Sequence, residues 1–186
     1  TEMALAAGVD IVLELPAAFA CASAEAFAAG AVSTLGATGI VDWLCFGSET
    51  GDLSPLQTLA DVLANEPDSY RKTLKLALDD GLSFAAAREK ALRTYLAQNG
   101  AAVDALRSPN NILAVEYLKA LNRQAARMKP HTIARRGRGY NDPILDGSYP
   151  SATAIRLALS DSGGDASHLL RDGVPETTLR IMTRET

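Results

Sequence analysis

Two nearly continuous apolar runs and a series of helical stripes organise this chain. Val9, Ile11, Val12, Leu13 and Leu15 crowd the first run, which Pro16 stops; Val41 to Phe46, with Trp43 and Cys45, forms the second. Apolar runs without strict alternation predict strands covered on both faces of a sheet. Between them Ala24, Phe27, Ala28, Ala31 and Leu35 recur at helical spacing, which predicts a helix over 23–35 ended by Gly36 and Gly39. Strand, helix and strand joined by short connections predict a βαβ unit with parallel strands. Ahead of it, 1–7 reads as the end of a helix closed by Gly8.

From Pro55 the pattern becomes helical, with segments expected over 55–64, 69–78 and 84–96 and breaks at Glu66-Pro67, Asp80-Gly81 and Asn99-Gly100. Ser108-Pro109-Asn110-Asn111 then opens another helix, whose buried face holds Leu113, Tyr117, Leu118 and Leu121. A short strand over 130–134 returns the chain to the sheet, a loop follows over 142–149, and further helices start at Ser151 and Pro175. The expected fold is α/β: an incomplete, Rossmann-like parallel sheet with flanking helices and an inserted helical subdomain. The expected division is 1–54 as a βαβ part, 55–107 as the helical insert, 108–160 as the return to the sheet domain, and 161–186 as the start of a helical region.

Composition narrows the class. A chain of 186 residues with 47% hydrophobic and 22% charged residues reads as globular and holds no apolar run of membrane-spanning length, so a cytoplasmic location is expected, with no membrane and no protein partner. Cys21 and Cys45 are too few and too far apart for a disulfide framework or a zinc knuckle, and are expected as buried free thiols. The net charge of −4 hides an asymmetry: 117–141 has no Asp or Glu but carries Lys119, Arg123, Arg127, Lys129, Arg135, Arg136 and Arg138. Such a segment makes a local positive field suited to nucleotide phosphates or an RNA backbone, unless Lys119 and Arg123 only decorate a solvated helix face.

Four places read as loop ends on one sheet: Phe46-Gly47-Ser48-Glu49, Ser108 to Asn111, Arg135 to Tyr140, and Ser151 to Arg156. Glycine after a strand lets a ligand approach the backbone, an Asn amide both donates and accepts, and arginine neutralises phosphate. At Ser151-Ala-Thr-Ala-Ile-Arg156 a helix start offers backbone N–H groups, the hydroxyls of Ser151 and Thr153, and the Arg156 fork one turn on. Glu49 is a candidate to orient Arg135 or a ribose hydroxyl, or to form a structural ion pair. His131 reads as packed or solvated beside the strand at Pro130.

With those residues in view, the runs TEMALAAGVDIVLELP, FGSETGD, SPNNILAVEYLKAL, TIARRGRGYND and SATAIR resemble, in order, the bacterial tRNA(Met) cytidine acetate ligases. The resemblance covers Thr1 to about Arg156. It implies a nucleotidyltransferase fold of the His-x-Gly-His type, with ATP and Mg²⁺ as cofactors. It implies formation of acetyl-adenylate from acetate and ATP, then acetyl transfer to N4 of the wobble cytidine of tRNA(Met). By motif, it makes Gly47, Asn110 and Arg135 ATP contacts and assigns Ser151, Thr153 and Arg156 to the triphosphate. The basic residues Arg127, Lys129, Arg136 and Arg138 are then expected to meet tRNA.

The sequence departs from that family in one respect: it contains no His-x-Gly-His, and its two histidines, His131 and His168, stand apart. It is therefore expected to be an internal fragment that lacks the N-terminal catalytic loop and most of the C-terminal region, with half an ATP site, no catalytic residue of its own and no adenylation activity by itself. A nucleotidyltransferase acting on a different acid or cofactor precursor, or a non-catalytic RNA-binding module, are the alternatives.

Overall fold

The computed structural model describes residues 1–49, 51–97, 104, 106, 108–124, 126–136, 149–162, 170–171 and 173–185. They fall into two compact units, Leu15–Arg135 and a second formed by Thr1–Glu14 with Arg136–Thr186.

The Leu15–Arg135 unit is built on a two-stranded parallel sheet of β1 (Trp43–Ser48) and β2 (Lys129–Ala134), in the register Trp43 to Lys129 through Ser48 to Ala134. Its helices are α2 (Ala17–Ala20), α3 (Ala24–Ala37), α4 (Leu53–Asn65), α5 (Asp68–Asp79), α6 (Phe84–Tyr95) and α7 (Pro109–Arg123). Parallel strands need a crossover, and α4 to α7 supply it. Polar residues at the helix starts account for several boundaries: Ser23 accepts from the Ala26 N–H, Asp52 from Ser54 at 2.9 Å, and Ser83 from Ala86.

Helix α7 organises the core, packing against α3, α4 and β1. On α4 the buried positions are Leu56, Leu59, Ala60, Val62 and Leu63, a stripe at helical spacing, and they meet Ala114, Val115, Leu118 and Leu121 of α7. Strand β1 turns Leu44, Phe46 and Ser48 inward and leaves Trp43, Cys45 and Gly47 exposed, with the Phe46 ring stacked on Tyr117 at 5.6 Å. Gly30 of α3 is buried against Phe19, where a β-carbon would lie 2.4 Å from the ring, so this close approach requires glycine.

The second unit holds α1 (Glu2–Ala6), α8 (Ala152–Asp161) and α9 (Glu176–Glu185). Ala158 and Leu170 are buried among Ile155, Leu159, Val174, Leu179 and Met182. Arg184 reaches both carboxylate oxygens of Glu2 at 2.8 Å, tying α9 to α1.

The α/β architecture with a parallel sheet is as expected, but three local expectations are corrected. Residues 9–15 are not a strand: Val9, Ile11, Val12 and Leu13 are exposed, and among the described residues β1 pairs only with β2. An apolar run becomes a strand only where a neighbour closes its ladder, so the parallel pair is β1–β2 across α4 to α7 rather than two strands flanking α3. Cys21 and Cys45 are exposed, Cys45 because it shares the outward face of β1 with Trp43. Gly36 lies inside α3, and Gly39, at φ +70, follows its end. The Asn99-Gly100 break and the loop over 142–148 lie outside the described residues.

Candidate functional site

The carboxyl ends of β1 and β2 and the start of α7 close on one another through side chains far apart in sequence. Ser48, the last residue of β1, is completely buried, which its hydrogen bonds make tolerable: Thr132 Oγ1 donates to Ser48 Oγ at 2.8 Å and the Gly51 N–H does so at 3.0 Å. The Arg135 N–H donates to the Ser48 carbonyl at 2.8 Å, carrying the parallel pairing one residue past β2. Gly51 then passes so close to β2, at φ +71, that a β-carbon there would lie 2.8 Å from the Ala134 nitrogen.

Glu49 is the centre of this knot. Its Oε1 accepts from Ser108 Oγ at 2.6 Å and from Asn110 Nδ2 at 2.9 Å, while its backbone N–H donates to Asn111 Oδ1 at 2.9 Å. Ser108 occupies the N-cap position of α7 but makes no side-chain cap bond, because its hydroxyl is turned to Glu49; Pro109 follows in the first turn. The two donated hydrogen bonds, from Ser108 first and Asn110 next, hold the Glu49 carboxyl below its ordinary range, and the nearby Arg135 charge adds to them against a modest cost of burial. Because the folded value is lowered, the stability Glu49 contributes is present above the ordinary carboxylate range and is lost as pH falls through the depressed value. Ser108→Ala is expected to raise the midpoint at which the Glu49 carboxyl carbon titrates by NMR; an unmoved midpoint would show that the hydroxyl does not engage it.

Gly47, Asn110 and Arg135, read from the sequence as one group, thus stand together at the carboxyl ends of the parallel strands, where ligands of such sheets bind. Gly47 is exposed, with nothing within 4 Å of the position its β-carbon would take, so packing does not demand glycine there. The remaining three candidates lie in the second unit, at the start of α8. Ser151 is buried at the N-cap and its Oγ accepts from the Ala154 N–H at 3.0 Å, so it holds the helix start; Thr153 is half-buried and Arg156 is exposed one turn on.

The basic segment divides in the structure. Lys119 is buried and donates to Glu116 Oε2 at 2.6 Å, with Glu25 of α3 3.6 Å away, and Arg123 is paired with Glu25 as well. Lys119 is neutralised first by Glu116 of its own helix and Arg123 by Glu25, which folding brings in from α3, and Lys119 does not sit on the solvated face considered from sequence. Arg127 and Lys129 stay exposed at the amino ends of the strands, a strand's length (about 17 Å) from the end that carries Glu49. Lys129 Nζ lies 5.5 Å over the Trp43 ring, and exposed His131 meets that ring edge-on at 6.4 Å. Arg127 also lines a cleft of about 420 Å³ with Gln124, Ser33, Gly39 and Val41 at this amino end. Arg136 is exposed in the second unit; Arg138 and His168 lie outside the described residues.

Among the described residues no cluster of three or more His, Cys, Asp or Glu is placed to hold a metal. Glu49 Oε1 is already committed to two donors. Sequence reasoning placed Ser48, Gly51, Asn111 and Thr132 inside its candidate segments but gave none of them a role. A polar residue at an inward position of an apolar strand, as Ser48 and Thr132 are, was the available signal.

The profile of the HIGH Nucleotidyl Transferase family matches residues 1–186, and the chain belongs to that family. Among its relatives, the tRNA(Met) cytidine acetate ligase of Acetivibrio thermocellus is 46% identical over 100% of this chain and 45% of its own length; that of Clostridium novyi is 41% identical over 97% and 45%. The apo structure of Thermotoga maritima TmcAL superimposes with a TM-score of 0.90 at 41% identity, covering 99% of this chain and 44% of that one. The structure of the same protein bound with alpha-thio ATP gives 0.84 at 40% identity, covering 99% and 42%. The chain therefore spans somewhat under half the length of the relatives it matches. Among the described residues no helix is long and apolar enough to cross a membrane.

Proposed function

We propose that this chain is the part of an ATP-dependent tRNA(Met) cytidine acetate ligase that binds the nucleotide. The observation that carries the reading is the closure of Gly47, Glu49, Asn110 and Arg135 at one end of the parallel strands in a chain whose relatives are named as that ligase. One solved relative holds an ATP analogue.

In this reading Gly47 leaves room for the nucleotide against the backbone and Asn110 bonds it through its amide. Arg135 neutralises negative charge, and Ser151, Thr153 and Arg156 serve the triphosphate. The reaction is attack of an acetate oxygen on the α-phosphorus with loss of pyrophosphate. Attack of the cytidine N4 amine on the acetyl carbonyl follows, with loss of AMP and a proton. Cationic and N–H groups favour the first step by stabilising charge that builds on phosphorus and on the departing pyrophosphate. Mg²⁺ would enter with the phosphates of ATP, because the described residues build no cage for it. Arg127, Lys129, Arg136 and Arg138 are the proposed tRNA contacts, acting through phosphates and therefore sensitive to salt.

In the intact protein, acetate-dependent release of pyrophosphate from ATP and acetylation of tRNA(Met) are the expected activities. Pyrophosphate release dependent on another acid would move the assignment to a different nucleotidyltransferase. Asn110→Ala and Arg156→Ala are each expected to weaken ATP binding about tenfold, the size of one hydrogen bond to a phosphate or polar group; Arg156→Ala should leave the unfolding temperature unchanged, whereas Asn110→Ala should lower it slightly because the Glu49 carboxylate loses one donor. ATP affinity unchanged in both variants, measured by calorimetry, would remove those residues from the site.

A further inference from the structure

Asn110 Nδ2 faces Glu49 Oε1 at 2.9 Å, and the same oxygen takes the Ser108 hydroxyl at 2.6 Å. An ionised carboxylate only accepts, whereas an amide presents a donor at one edge and an acceptor at the other. Next to Glu49 the Asn110 amide therefore has one stable orientation, with Nδ2 inward and Oδ1 on the opposite edge. The hydrogen bonds from Ser108 and Asn110, with the Arg135 charge adding to them, favour the ionised, acceptor-only form of Glu49. A neutral side chain of the same shape would lose that control, since a glutamine could donate to Asn110 Oδ1 as readily as accept from Nδ2.

We infer that Glu49 is a positioning residue that fixes the Asn110 amide with its oxygen available to the ligand, so that the site selects a nucleotide presenting a hydrogen-bond donor there. Two groups of ATP supply such a donor, a ribose hydroxyl and the exocyclic amine of adenine. The inference rests on the nucleotide reading above and deepens it. Glu49 acts through Asn110, so removing both residues costs no more than removing Asn110 alone.

The test is a double-mutant cycle on the intact protein, read as the Kd for ATP by calorimetry. Glu49→Gln, which keeps the length of the side chain but can turn its NH2 toward Asn110 because the Ser108 hydroxyl can accept as well as donate, is expected to weaken ATP binding about tenfold, the cost of a mispaired hydrogen bond. Asn110→Ala is expected to weaken it by a similar factor, and the double variant to be no weaker than Asn110→Ala. Wild-type affinity in Glu49→Gln, or a double variant about a hundredfold weaker than wild type, would overturn the inference, the second because Glu49 would then act independently of Asn110. Thermal unfolding of each variant checks that the fold is retained.

Deoxy-ATP analogues and inosine triphosphate separate the two donors. Whichever change removes the donor should weaken binding to wild type about tenfold and leave binding to Asn110→Ala unaltered. If neither analogue distinguishes wild type from Asn110→Ala, the inference fails. A wild-type protein that binds no ATP overturns the nucleotide reading itself, whereas normal wild-type binding with an unaffected Glu49→Gln removes only the role given to Glu49.

Discussion

Lys119→Met is expected to lower the unfolding free energy by about 3 kcal/mol, the cost of stranding a buried charge. Glu116 is 5% exposed, and Lys119, 6% exposed, is its near partner at 2.6 Å; Arg88 of α6 is farther away at 3.6 Å. Removing the ammonium leaves the buried Glu116 carboxylate of α7 with one long contact to a cation. The companion variant Glu116→Leu with Lys119→Met is expected to recover most of the loss, because a buried ion pair contributes little over apolar residues of similar size once both members are gone. Denaturant unfolding of the three proteins decides the matter. A loss below about 1 kcal/mol for Lys119→Met would mean that water reaches the pair.

Gly51→Ala is expected to cost about 2–3 kcal/mol, combining left-handed backbone strain with a steric conflict that the strand end cannot relieve. The conflict is with backbone: the added carbon would sit 2.8 Å from the Ala134 nitrogen and 2.9 Å from its β-carbon. Gly47→Ala, four residues earlier, is the control. Nothing lies within 4 Å of its missing β-carbon, so its stability should stay within about 0.5 kcal/mol of the parent. In the nucleotide reading it should still impair ATP binding, since the open space is where the ligand approaches. Equal unfolding midpoints for Gly51→Ala and the parent would show that the turn after β1 is free to move away from β2.

Much of the local structure was legible in the chain because it depends on neighbours in sequence. Ser23, Ser83 and Ser151 each precede a stripe of apolar residues and each caps the helix that follows, with the Oγ accepting an N–H three residues on. The strand predicted over 130–134 forms as β2, and α4, α5, α6 and α7 lie where the spacing of apolar positions put them. The candidate site was legible only in outline. Gly47, Asn110 and Arg135 were marked as a group by their motifs, but the link that joins two of their segments is the Glu49 carboxylate. Its donors lie 59 and 61 positions away, too far for any local pattern to reveal.

Sequence alone determined the α/β class, the helix starts, the return of the chain to the sheet at β2 and the family resemblance, because helix caps, side-chain periodicity and motif order are written in consecutive residues. Tertiary structure decided which charges remain available and which apolar runs become strands. Lys119 and Arg123 look like part of a cationic tract until Glu25 folds against them, and Glu25 is 98 positions from Arg123. Residues 9–15 have the composition of a buried strand, yet the ladder forms between β1 and β2 instead. In each case the outcome depends on a partner from elsewhere in the chain: a charge is neutralised, and a strand's backbone hydrogen bonds are satisfied, only by a neighbour in space.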